Sequence, residues 1–124
     1  MIVGIGVDRV VISRIRGSLA RFSDRFVTRI YTAAEYDLAR KKGVERRLAM
    51  FFAAKEAVSK ALGTGFVGFG MKDIEVTYEE SGKPNIILHA GASMQAECLG
   101  ITTIHISLTD DEGVAMAFAV AESI

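Results

Sequence analysis

The sequence of 124 residues has one cysteine, Cys98, and one proline, Pro84. A lone cysteine permits no intrachain disulfide and no cysteine-rich metal site, and it fits a reducing cytoplasm. Fifteen basic residues balance fifteen acidic ones, for zero formal net charge. That balance argues against nucleic-acid binding as a whole-chain property. No apolar run reaches the ~18 residues that cross a bilayer. The opening MIVGIGVDRV has no basic stretch ahead of its apolar residues, so no signal peptide is expected. No internal repeat, low-complexity tract or linker is visible, and Pro84 is expected in a turn. Several catalytic signatures are missing as well. There is no His/Cys spacing for zinc and no G-x-S-x-G elbow, nor a serine or cysteine motif beside the two histidines. Gly63-Thr64-Gly65 follows its helix instead of preceding one, so it does not form a P-loop.

What remains is an ordinary globular composition, half apolar and a quarter charged, sufficient for one domain over 1–124 with a single core. Residues 2–8 read as a strand, with Ile5 and Val7 on one face and Gly4, Gly6 and Asp8 on the other. Residues 10–30 read as helix, with a break near Ser23. Thr32-Ala33-Ala34-Glu35 forms a capping box for a helix running to about Lys42 and ending at Gly43. A long helix begins near Glu45 and runs to Leu62. Residues 73–78 and 85–89 read as a hairpin, 92–99 as a short helix, and 102–109 and 114–121 as two strands. The last strand has a face made only of alanine, Ala115, Ala117, Ala119 and Ala121, which lets a helix lie close. The expected class is α+β: an antiparallel sheet wrapped on a long central helix.

That helix is apolar or small on every side from Leu48 to Leu62, the mark of a buried helix, yet it contains Lys55, Glu56, Ser59 and Lys60. Buried charge needs a partner, a ligand or a metal. Glu56 and Lys60, four apart, also suit an ordinary helix ion pair, and Gly63 an ordinary helix end. Asp8, beside two glycines, suits either a capping acid or a ligand approached closely. Asp8 and Glu56 are the acids in the least acid-like surroundings, and two carboxylates with water and phosphate are the usual way to hold Mg²⁺. Arg14, Arg21, Arg25 and Arg29 share one stripe. It is either a solvated face or, having one sign, a surface for an acidic partner or phosphates.

Five ordered blocks resemble one family: IVGIGVD, FAAKEAVSKALGTG, DIEV, SGKP and HISLTD. They are similar to the holo-acyl-carrier-protein synthases, the small bacterial 4′-phosphopantetheinyl transferases, over nearly the whole chain. The resemblance implies the 4′-phosphopantetheinyl transferase fold, a homotrimer with sites between subunits, and transfer of 4′-phosphopantetheine from coenzyme A to a serine of acidic apo-acyl carrier protein. It implies Asp8 and Glu56 as Mg²⁺ ligands and catalytic residues, with Lys60 near the transferring phosphate. Gly63, Thr64 and Gly65 fall along the coenzyme, Gly82, Lys83 and Pro84 near its adenine, and His105 near the nucleotide. Arg14, Arg21 and Arg25 become the carrier-protein docking surface. The base is either Glu35 or a metal-bound water. One position departs: relatives carry an arginine that touches a coenzyme phosphate where Phe51 stands, leaving Arg46, Arg47 or Lys55 to replace it. A non-catalytic carrier-binding homologue is the competing expectation.

Overall fold

A computed structural model describes residues 1–124. The chain forms β1 (Ile2–Val11), α1 (Ile12–Phe22), α2 (Asp24–Ile30), α3 (Ala33–Arg40) and α4 (Val44–Ala61). A 3-10 turn at Met71–Asp73 then leads to β2 (Ile74–Tyr78), β3 (Pro84–Leu88), α5 (Ala90–Cys98), β4 (Thr103–Asp111) and β5 (Val114–Glu122). The fold is α+β. The strands make two antiparallel sheets, a three-stranded one in the order β1-β5-β4 and a separate hairpin of β2 and β3.

Helix α4 lies along the inner face of the larger sheet. Leu48, Ala49, Phe51, Ala53, Ala54, Ala57 and Val58 are fully buried, as are Ala115, Ala119 and Ala121 on β5. Small side chains on both partners bring the backbones together. At Gly4 and Gly6 the approach is closest: a Cβ would stand 2.0 Å from the Ala61 carbonyl oxygen and 1.9 Å from that of Ala57. The two glycines are therefore required by packing, and they run β1 alongside the C-terminal half of α4. The opposite face of the sheet is apolar too, but uncovered, with Ile5, Val7, Met116 and Phe118 all exposed.

Several boundaries differ from the sequence expectation, each for a local reason. β1 continues to Val11, so Asp8 sits inside the strand opposite Ala117 and does not end it. The predicted helix over 10–30 breaks as expected, at Ser23, where φ is +48°. Pro84 opens β3, paired with Tyr78. A first strand position tolerates proline, since no ladder amide is lost there. β4 and β5 extend through Asp111 and from Val114 because Glu112 and Gly113 both take positive φ, +47° and +79°. Such a two-residue turn lets the ladder continue to its edge.

Candidate active site

Asp8 and Glu56 line one cavity of about 500 Å³. β1 presents Asp8 from the glycine face, and α4 presents Glu56 one residue before the Ala57 carbonyl that touches Gly6. The same cavity is walled by Arg9, Arg14, Ser18, Phe26 and Phe52. Glu56 is half-buried and its carboxyl is pushed above the usual range, by burial first and by the Asp8 carboxylate second, with Lys60 opposing. Two carboxylates brought to one half-buried cavity form a site that favours a cation. The donor set contains only oxygen, which suits a hard divalent ion.

Lys60 does not pair with Glu56. Its Nζ donates to the Val7 carbonyl at 2.9 Å and to Asp8 Oδ1 at 3.4 Å, so the lysine ties α4 to β1 beside the carboxylates. Beyond it, the amides of Gly63 and Gly65 are spent on the Lys60 and Ser59 carbonyls. That loop therefore offers a ligand fewer free amides than its glycines suggest. Its continuation packs on the first turn of α5, where a Cβ at Gly91 would stand 2.2 Å from the Gly68 carbonyl oxygen.

Lys55, adjacent to Glu56 in sequence, points elsewhere. It is fully buried, donating to Glu35 Oε1 at 2.8 Å and to the carbonyls of Met71 and Ile74. Glu35 forms the expected capping box with Thr32, and its second oxygen accepts from the Val76 amide at 2.7 Å. Every lone pair accounted for here serves the fold. The Glu35 carboxylate is fully buried, and both of its oxygens accept hydrogen bonds.

The remaining positions are dispersed. Arg14 borders the carboxylate cavity, and Arg25 borders a neighbouring groove that shares Ser18 and Phe26 with it. Arg21 lies over the Phe22 ring. Arg14, Arg21 and Arg25 are all exposed and none has an acidic partner. His105 stands on β4 opposite Val120, on the outward face of the sheet, hydrogen-bonded to Glu122 at 2.9 Å. Asp8 is on the inward face, so the two do not meet within one chain. Gly82 and Lys83 are exposed in the turn before Pro84, far along the chain from either. Phe51 is fully buried and packs on the Tyr78 ring, 6.1 Å between centroids. Of the cations that could replace an arginine there, Lys55 is engaged and Arg46 pairs with Asp110 at 2.7 Å. Arg47 instead joins Lys41, Lys42, Tyr78 and Gly82 around a second cavity. Sequence patterning gave no sign of that group, because three separate elements supply it.

Residues 4–119 match the profile described as the 4′-phosphopantetheinyl transferase superfamily. A protein of Solibacter usitatus named holo-[acyl-carrier-protein] synthase is 42% identical over 99% of this chain and 100% of its own length. A crystal structure of holo-[acyl-carrier-protein] synthase from Neisseria meningitidis superposes with a TM-score of 0.91 at 37% identity, covering 99% of this chain and 100% of that one. The Helicobacter pylori synthase in complex with coenzyme A superposes with a TM-score of 0.85 at 32% identity, over 95% and 99% of the two chains.

Proposed function

The chain belongs to the 4′-phosphopantetheinyl transferase superfamily, and we propose that the Asp8–Glu56 cavity is where it carries out its transfer. The activity is that of a holo-[acyl-carrier-protein] synthase. A serine hydroxyl of apo-acyl carrier protein bonds to the phosphorus bearing the pantetheine arm of coenzyme A. The bond from that phosphorus to the bridging oxygen breaks, adenosine 3′,5′-bisphosphate departs, and the serine gives up its proton. The observation that carries the site assignment is the pairing of two carboxylates from β1 and α4 in one cavity, with Glu56 raised by burial first and by Asp8 second.

Asp8 and Glu56 would hold Mg²⁺, whose chemistry is to offset charge on the diphosphate as the phosphoryl group moves. Lys60, fixed beside Asp8, steadies the transferring phosphate. Gly63, Thr64 and Gly65 lie along the coenzyme, with Gly82, Lys83 and Pro84 toward its adenine. Arg14, Arg21 and Arg25 receive an acidic carrier protein, and their lack of acidic partners supports this, since unpaired charge of one sign steers encounter.

A homotrimer with sites between subunits follows from the same reading. His105 and Asp8 lie on opposite faces of one sheet, so a site containing both needs two copies. The outward face supports the assembly, with Ile5 62%, Val7 49%, Phe118 47% and Met116 40% exposed. A contiguous apolar patch of that kind marks an interface. The reading takes 1–124 as one domain, with α4 as the helix on which the sheet is built. It places the protein in the cytoplasm, with which a lone cysteine agrees; no helix is long and apolar enough to cross a membrane. The relatives are synthases by name, which favours turnover over a carrier-binding homologue without it.

The test is a mass measurement on apo-carrier protein incubated with coenzyme A and Mg²⁺. One added phosphopantetheine is expected, and Glu56→Ala should abolish it while the assembly stays folded. Near-normal turnover in that variant removes the metal assignment.

A further inference from the structure

We propose that Arg9 pairs with Asp111 of a second copy of this chain, at the rim of the carboxylate cavity, and that this pair fixes which edge of the sheet meets which in the assembly. The assembly rests on the shared-site reading above; the pair rests on where two unmatched charges stand. Arg9 follows Val7 by two residues on β1 and lies directly opposite Met116 of β5. It therefore shares the outward face with them. Asp111 of β4 lies opposite Val114, two residues before Met116, so it belongs to that face as well. The register makes two adjacent rows across the sheet: Val11, Val114 and Asp111, then Arg9, Met116 and Thr109. β1 and β4 are the outer strands of that sheet. One edge of the apolar face thus carries a cation and the other an anion, at the same end.

Both residues are exposed, and neither has an ion-pair partner in its own chain. The acids around them are engaged or turned away. Asp110 holds Arg46 and Glu122 holds His105, while Glu112 borders a different cavity with Arg16, Glu45 and Arg46. Two strand spacings and an offset of two residues put the Arg9 and Asp111 Cα atoms ~12 Å apart within one chain, with Val114 and Met116 between them. A second copy laid on this face buries both charges, and a buried charge without a partner is costly. Contact of β1 with β1 would set Arg9 near Arg9. Contact of β1 with β4 sets it near Asp111. The charge pattern thus selects the head-to-tail contact and works against the two-fold one. Head-to-tail contacts close into rings, and the same contact brings His105 of one copy toward Asp8 of the next.

The pair also bears on the site. Arg9 borders the same cavity as Asp8 and Glu56. A guanidinium left free there competes for the two carboxylates. Asp111 of the second copy draws it to the interface and leaves them open. The second copy therefore contributes an acid to the rim of the site.

Sedimentation of the intact protein at low salt, over a range of concentrations, reads the pair. Arg9→Glu alone and Asp111→Lys alone should each need about tenfold more protein to assemble, because like charges then face one another. Arg9→Glu with Asp111→Lys in one chain exchanges the two charges and should assemble within about threefold of the natural concentration, a coupling that independent sites do not show. Arg9→Gln and Asp111→Asn remove charge without repulsion, and circular dichroism checks that every variant is folded. Each neutral variant should flatten the salt dependence of assembly. Unchanged assembly in the single reversals overturns this proposal alone, as does a double variant as weak as its two parts combined. An Arg9→Glu protein that assembles normally and loses carrier-protein affinity assigns Arg9 to the carrier and overturns it too. A natural protein that stays monomeric at every concentration overturns this proposal and the shared-site reading together, and the mass assay on the carrier protein still judges the transfer itself.

Discussion

Gly6→Ala tests the joint on which the candidate site depends. A Cβ at Gly6 would stand 1.9 Å from the Ala57 carbonyl oxygen and 2.9 Å from its carbon. Real Cβ atoms do not approach closer than 3.0 Å, and 3.4 Å is ordinary contact, so β1 and α4 must part by 1.1 to 1.5 Å. The obstacle is backbone, which cannot swing aside as a side-chain tip can. Overfilling a packed interior costs about 1–3 kcal/mol, and the upper end applies here. With a urea dependence of about 1.5–2 kcal/mol per molar, the unfolding midpoint should fall by about 1.5–2 M. Measurements belong at one protein concentration, since assembly contributes to stability. Asp8 lies two residues along β1 and Glu56 directly precedes Ala57, so the carboxylates separate with the backbones. Transfer should then fall by about a hundredfold even where the variant is folded, since a displacement of ~1 Å is enough for that. Gly17→Ala is the control: nothing lies within 4 Å of its Cβ site inside α1. It should stabilise by about 0.5–1 kcal/mol. A Gly6→Ala midpoint within about 0.3 M of the natural protein, inside extrapolation error, would refute the packing argument.

Lys55→Met leaves the Glu35 carboxylate buried without its cation and should cost about 3–5 kcal/mol in urea unfolding; a loss under about 1 kcal/mol contradicts the buried pairing. Burial raises the Glu75 carboxyl, but hydrogen bonds with His89 and Thr32 outweigh it and hold the group below its ordinary 4.5. Its stabilisation is therefore present above pH 4.5 and lost as pH falls through the lowered value. His89→Ala should flatten that acid limb, and parallel limbs would dismiss the contact. Phe118→Glu places charge on the uncovered apolar face and should yield monomers in sedimentation; an unchanged mass removes that face from the assembly. Arg14→Glu with Arg21→Glu should slow carrier-protein association and flatten its salt dependence. Coenzyme affinity should be nearly unaffected, and its collapse would assign the stripe to the nucleotide.

Much of the fold was legible from local pattern. The alanine face of β5, the glycines of β1, the capping box at Thr32 and Glu35, the break at Ser23 and the all-round apolar α4 each follow from a residue's own periodicity or backbone preference. The two carboxylates were legible too, because acids in apolar or glycine-rich surroundings stand out. Tertiary structure alone decided which charge meets which. Lys55 and Glu56 are neighbours in sequence, yet one is sealed against Glu35 while the other faces Asp8, because 100° of helix rotation sends them to different packing partners. Lys60 took Asp8 instead of the nearer Glu56, and Lys41, Lys42, Arg47 and Tyr78 converged from three elements on one cavity. Periodicity determines the face on which a side chain lies; what that face meets depends on how the elements pack, and packing is a property of the whole chain.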